Sequence, residues 1–308
     1  MAPIQLIHSE QQFAHLRPTM ERYAGCVDPA QWPMLSKPLI LILTTQRTGS
    51  TLLCQDIASA WQLPYQPTES FIPPLTGIFN NGIPPQDLHQ QLANTLKQHN
   101  QASCSVFKLM ADYIGWLGFF CTPKQQALSA SYTELSARFL QLIQTHSPEG
   151  FHLIQLKRKH KLKQAISRLF NSMGLPTHIS SDDDQKSFDT NLVEKLAAYP
   201  QLELMVIDQL RIILSQCHLL EVTLNKTTRI DCNISLEYEH DLCKNADTYL
   251  NSISKQMGFK VDSIQRQLRR TSGSVSRDLL QRTLHILGLG ELEEIDLQPS
   301  EQEISVGQ

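Results

Sequence analysis

Residues 39–43 are apolar without a break (L-I-L-I-L), residues 44–50 form a polar turn, and helical spacing follows over 51–63. A continuous apolar run bounded by turn residues predicts a strand buried on both faces. Ser and Thr at the turn suit the start of the next helix. The same pattern predicts further strands at 105–110, 151–156 and 230–238, the last with an irregularity before Ile234. Helices are expected at 86–99, where Leu88, Leu92 and Leu96 share one face, and at 131–145, where Ser131 and Glu134 fit a capping box. More are expected at 160–173, 188–198, 201–217, 241–256 and 274–287. Residues 1–36 read as one or two short helices packing on the domain as an N-terminal extension. Pro64, Pro67, Pro73, Pro74, Pro84 and Pro85 predict a long loop over 64–85, because each proline biases the residue before it towards extended geometry. Residues 180–184 read as an exposed loop. The tail 291–308, with six acids and no base, reads as disordered. Strands alternating with helices predict an α/β fold of three layers, a mostly parallel sheet with helices on both faces, in one domain over 37–290.

Composition changes this picture little but excludes several functions. The chain has 308 residues, 41% apolar and 19% charged, with a formal net charge of −3, so any attraction for an anion must be local. Seven scattered cysteines include no C-x-x-C pair, which predicts free thiols in a reducing compartment. No leader peptide is expected from the first ten residues, no run is long enough to span a membrane, and the cytoplasm is the expected location. The histidines show neither H-x-H nor H-E-x-x-H spacing, so no metal site is expected; Asp182 to Asp184 read as a solvated loop. A hydrolase elbow of the G-x-S-x-G kind is absent.

Chemistry concentrates at the turn T-T-Q-R-T-G-S-T, residues 44–51. Strand, loop and helix N-terminus together aim several N–H groups and the positive end of a helix dipole at one spot, which suits phosphate or sulfate. Gly49 lets the backbone approach an anion, and Arg47 adds a fork-shaped cation. A triphosphatase loop would need G-x-x-x-x-G-K-[ST]; here Thr44 stands at the first glycine and Ser50 at the lysine, so ATP hydrolysis has little support. On its own the turn also fits an ordinary strand–helix connection.

The segment T-T-Q-R-T-G-S-T-L-L-C resembles the 5′-phosphosulfate loop of bacterial sulfotransferases of the trehalose 2-sulfotransferase type. Four further segments follow in that family's order. Gln66-Pro67-Thr68-Glu69-Ser70-Phe71 is similar to its E-P-x-E-F-F, with Glu69 at the proposed general base. Phe107-Lys108-Leu109-Met110 is similar to F-G-x-K-L-M, with Ala111 where a tryptophan would follow. Residues 158–167 resemble R-x-D-K-x-x-Q-A-x-S, which places Arg158 and Ser167 at the 3′-phosphate and His160 where the family has aspartate. Leu236 to Leu242 with Gly258 resemble the Y-E-x-L…L-G pattern that closes such domains, and 265–274 is a loosely similar Arg/Ser/Gly-rich stretch.

The resemblance implies a P-loop-like sulfotransferase that uses 3′-phosphoadenosine 5′-phosphosulfate as donor and needs no metal. The acceptor it implies is a hydroxyl of a carbohydrate or glycolipid. Arg47 with the N–H groups of Thr48, Gly49, Ser50 and Thr51 would hold the 5′-phosphate, Arg158 and Ser167 the 3′-phosphate, and Glu69 would take the acceptor proton. Relatives of that type suggest a homodimer. The basic residues Lys157, Lys159, Lys161, Lys163 and Arg168 also raise a nucleic-acid patch, which the absence of interleaved aromatics argues against. Two other readings stay open: a P-loop-like kinase, disfavoured by the missing lysine, and a non-catalytic nucleotide- or partner-binding protein of the same fold.

Overall fold

The computed structural model describes residues 6–64, 67–100, 103–175, 199, 201–227, 233–243, 246–258 and 274–289. The expected helix at 188–198, the loop at 180–184, the stretch 265–273, the start of the strand at 230 and the acidic tail lie outside the described residues. The chain gathers into two compact units, Met1–Gln164 with Arg211–Leu268, and Ala165–Leu210 with Arg269–Gln308.

The first unit contains the sheet. Its strands are β1 (Leu39–Thr44), β2 (Ser105–Met110), β3 (Phe151–Lys157) and β4 (Asn233–Glu237). They lie in the order β2-β1-β3-β4, all parallel, with Leu39 opposite both Ser105 and Phe151. β1 is therefore interior, and all six of its residues are buried. Its alternation divides the core. Leu39, Leu41 and Leu43 face a cluster with α1 (Glu10–Leu16), α4 (Pro85–His99), α5 (Ile114–Cys121) and α7 (Tyr132–Thr145). Ile40 and Ile42 face a second cluster with α2 (Ser50–Ala60) and α10 (Ala246–Met257). Helices thus cover both faces of a parallel sheet. Each buried Leu or Ile of β1 contributes about 1.5–3 kcal/mol relative to exposure, an upper bound. Ile7, Phe13, Tyr23, Val27, Trp32 and Leu35, all before residue 37, belong to the first cluster.

The capping box of α7 forms as expected, with Ser131 and Glu134 bonded reciprocally; Glu10 of α1 adds a carboxylate that accepts the N–H groups of Tyr132 at 2.7 Å and Thr133 at 3.0 Å. Other elements depart from expectation. The proline-rich stretch 64–85 is not all loop: α3 (Ile72–Asn81) occupies it, with Pro73 and Pro74 in its first turn. There the missing N–H groups have no partner to lose and the fixed φ suits a helix. Two helices, α5 and α6 (Lys124–Ser129), occupy a stretch for which periodicity predicted nothing. The sequence I-G-W-L-G-F-F-C is apolar on every side, so it carries no amphipathic signal. Gly118 lets α5 lie directly on α7, since a Cβ there would run into the Leu135 carbonyl. After β4 the chain makes a single π-helical turn, Tyr238–Leu242, closed by Cys243 N–H on the Tyr238 carbonyl at 3.0 Å, before α10 begins.

In the second unit are the later part of α8 (Lys161–Ser172), the start of α9 (Leu202–Lys226) and α11 (Ser274–Ile286). α9 extends well past residue 217, where the sequence pattern ended it. Within this unit Arg282 pairs with Glu203 at 3.2 Å, and Arg168 donates to Gln209.

Candidate active site

The loop after β1 sits at the carboxyl edge of the parallel sheet, the edge where open α/β folds place their ligands. It is held from several sides. Thr44 Oγ1 lies 2.5 Å from Thr48 Oγ1 and 3.0 Å from the Leu156 carbonyl oxygen on β3. Gln164 on α8 donates from Nε2 to Thr45 Oγ1 at 3.0 Å and to the Gln46 carbonyl at 2.5 Å. The Gln46 side chain donates to buried Asp112 at 2.8 Å, and Gln216 of α9 donates to the same carboxylate oxygen at 3.1 Å. Arg158 Nη1 donates to the Arg47 carbonyl at 2.9 Å. With these tethers the loop holds Arg47 at φ 62°, a left-handed conformation that costs a non-glycine residue about 1–2 kcal/mol, and Gly49 at φ 88°.

The consequence is a set of unshared donors. α2 has no side-chain cap at its start, and among the described residues no acceptor is found for the N–H groups of Thr48, Gly49, Ser50 and Thr51. N–H groups without acceptors at the positive end of an 11-residue helix are suited to an oxyanion.

Two guanidinium groups border it. Arg47 has its pKa lowered, first by burial and then by the charge of Arg158, with Tyr238 acting in the opposite direction. Arg158 is already engaged: its Cζ lies 4.9 Å from the centroid of the Tyr238 ring, and its Nε lies 3.5 Å from Glu239 Oε1. The Glu239 carboxylate also accepts the N–H groups of Lys159 at 2.8 Å and His160 at 3.2 Å, ahead of α8. His160 stands where the resembled pattern has aspartate, and Glu239 from beyond β4 brings a carboxylate to that helix start. The Tyr238 ring lies against Gly49, and a Cβ there would collide with it. Gly49 is therefore needed for a packing reason.

Glu69 and Lys108 come together at 3.2 Å, Lys108 almost fully buried on β2 and Glu69 about one-third exposed. The charges of both reach Cys54, one turn into α2. Burial pushes that thiol up to about 12, with the Lys108 charge acting downwards and the Glu69 charge upwards. Next to Glu69, Ser70 Oγ lies 2.7 Å from His99 Nε2 at the end of α4. Ser167 lies on α8, half-buried, and belongs to the second unit, whereas Arg158 belongs to the first.

Burial lowers the His99 pKa from 6.5 to about 4. The unfolded chain therefore binds a proton at His99 over a pH range in which the folded chain does not, and stability falls as pH drops from about 6.5 towards 4. His99→Gln is expected to flatten that fall, read as a smaller difference between urea midpoints at pH 7 and pH 5.

Gln164, Asp112, Gln216, Tyr238 and Glu239 were not predicted as parts of the site. Gln164 left a sequence signal as the glutamine of the 158–167 pattern, and Tyr238 with Glu239 as the Y-E of the closing pattern, though neither pointed to this role. Among the described residues no group of three or more metal-ligating side chains occurs, and no helix is long and apolar enough to cross a membrane.

No protein-family model matches the chain, and no curated protein matches it. Among solved structures, the sulfotransferase domain of the Synechococcus PCC 7002 olefin synthase is similar at 16% identity, over 87% of this chain and 87% of that one, with a TM-score of 0.35. A score that low carries no argument about function. What the fold and the loop define from this chain's own residues is a parallel α/β protein with an uncapped helix N-terminus at the carboxyl edge of its sheet.

Proposed function

We propose that the chain is a sulfotransferase, moving a sulfuryl group from 3′-phosphoadenosine 5′-phosphosulfate to a hydroxyl of a carbohydrate or glycolipid. The observation that carries this reading is the cradle: four N–H groups without protein acceptors, from Thr48 to Thr51, beside Arg47. They would hold the 5′-phosphate and stabilise the charge that builds on it as the sulfuryl group leaves. Preorganised donors contribute most at such a point. Arg158 would hold the 3′-phosphate, and Glu69 would take the acceptor proton. The mechanism is positioning and electrostatics, as in phosphoryl transfer.

The test compares adenosine 3′,5′-bisphosphate with ATP as thermal stabilisers. The bisphosphate is expected to give the larger rise in Tm, because at about 100 times its Kd it adds roughly 2.7 kcal/mol to folding. Arg47→Gly, chosen because glycine tolerates the left-handed conformation, is expected to weaken bisphosphate binding about 10–100-fold, the range for losing a charge-assisted contact. Equal stabilisation by both nucleotides, or none, overturns the donor assignment.

A further inference from the structure

A single residue, Ser70, separates two anchors of the Glu69 segment. On one side Glu69 pairs with Lys108. On the other the buried Phe71 ring packs on Phe107, with centroids 5.3 Å apart, and on Phe139 at 5.9 Å. Phe107 and Lys108 are consecutive on β2, so their side chains leave opposite faces of the sheet, Phe107 towards the cluster that holds Leu41 and Leu43. β2 is an outer strand of the described sheet. The chain therefore passes round the edge of the sheet between Glu69 and Phe71, and Ser70 stands at the crossing.

His99 holds Ser70 there, with Nε2 2.7 Å from Ser70 Oγ. His99 is itself fixed to β2 at two points. Its ring centroid lies 4.6 Å from that of Phe107, and its carbonyl accepts from Ser105 Oγ at 3.0 Å. With its pKa lowered by burial the ring is neutral at pH 7, so one ring nitrogen offers the Ser70 hydroxyl a lone pair. The Glu69 carbonyl in turn accepts the N–H of Ile72, the first residue of α3, at 2.9 Å. Lys108 alone would not aim Glu69, because an ammonium is a point charge on a flexible stem and sets no direction for its carboxylate. Direction has to come from the backbone, and Ser70 is the next residue along it.

We propose that His99, acting through its bond to Ser70, is a positioning residue that aims the Glu69 carboxylate at the acceptor hydroxyl. The proposal rests on the sulfotransferase reading above, in which Glu69 takes the acceptor proton. In this role His99 meets neither donor nor acceptor and exchanges no proton in the step. When the bond to Ser70 is lost, Glu69 keeps Lys108 as its partner but the backbone that carries it is released at the crossing. Misplacing a reacting group by about 1 Å costs on the order of 100-fold in rate, so a bond remote from the chemistry is enough to govern it.

The alternative is a bond that only stabilises the fold, and the two separate on whether its loss acts through Glu69. Radiolabelled sulfuryl transfer from saturating donor into a carbohydrate and lipid extract is the first readout, and calorimetry with adenosine 3′,5′-bisphosphate the second. His99→Leu and Ser70→Ala are each expected to lower transfer about 10–100-fold while binding the bisphosphate within about threefold of wild type. His99→Gln, whose amide can still meet Ser70, is expected to restore most of the transfer. In a Glu69→Gln chain, where there is no base left to aim, adding Ser70→Ala is expected to change the residual transfer by less than about threefold. Ser70→Ala, at a half-buried position between two helices, serves alone if His99→Leu does not fold. Unchanged transfer in the single variants, or an equal fall with and without Glu69, overturns the role of His99 and leaves the sulfotransferase reading standing. Wild-type protein that neither binds the bisphosphate nor transfers the sulfuryl group overturns both.

Discussion

Glu69→Gln is expected to lower sulfuryl transfer by about 10²–10⁴-fold, the usual contribution of a positioned acid or base, while adenosine 3′,5′-bisphosphate still binds within about threefold. Glutamine keeps the size and one acceptor oxygen of the side chain, so the contact with Lys108 is weakened rather than emptied. What is lost is the ability to take a proton from the acceptor. The geometry leaves room for one: Glu69 is about one-third exposed although its partner is buried. The reading is radiolabelled sulfuryl transfer from the donor into a carbohydrate and lipid extract. A variant that binds the bisphosphate and retains full turnover removes Glu69 from the mechanism, and the segment from Pro67 to Phe71 then reads as an anchor only.

Gly118→Ala is expected to be the most destabilising single-methyl change among the sites described. The added Cβ would overlap the Leu135 carbonyl oxygen. A flexible side chain could turn away, but a carbonyl fixed within α7 cannot move without displacing the helix. Overpacking of this kind costs about 1–3 kcal/mol, and a backbone obstacle places Gly118 at the upper end. α5 and α7 would have to separate, loosening the aromatic cluster in which Phe13 lies 4.9 Å from Trp116 and 5.3 Å from Tyr132. For a chain of this size a fall in Tm of about 3–5 °C follows. Differential scanning calorimetry reads it, and a change under 2 °C on the order-of-magnitude scale above contradicts the packing argument.

The sheet was legible where local pattern and tertiary role coincide. Residues 39–44 are apolar because both faces of an interior parallel strand are buried, and the turn after them has the composition its geometry needs. The Ser131 capping box was legible for a similar reason, since the partners that stabilise it lie three residues apart. α5 was not, because helical periodicity requires a polar side and this helix has none. α3 was missed because Pro73 and Pro74 were weighed as helix breakers, although in a first turn they cost nothing. In the site, Arg47 and Glu69 could be singled out from short motifs, but what holds them could not. Lys108 follows Glu69 by 39 positions, Gln164 reaches back to Thr45, and Glu239 arrives from beyond the last strand to stand at a helix start marked by His160. Such pairings are made by the sheet order, and no local spacing reports them.

That sheet order also sets a timetable for synthesis. β1 has both neighbours once residue 157 is made, so the L-I-L-I-L segment is enclosed early. The free edge of β3 waits for β4, which starts at Asn233, 76 positions after Lys157. At ribosomal speeds of about 5–20 residues per second, the nascent chain holds that edge open for roughly 4–15 seconds. An unpaired edge is a template for pairing with another chain, and polar residues within such a strand discourage it. His152, Gln155 and Lys157 interrupt β3, whereas β1 has no polar residue before Thr44. The strand that must wait for its neighbour is the one with built-in protection against joining another nascent chain.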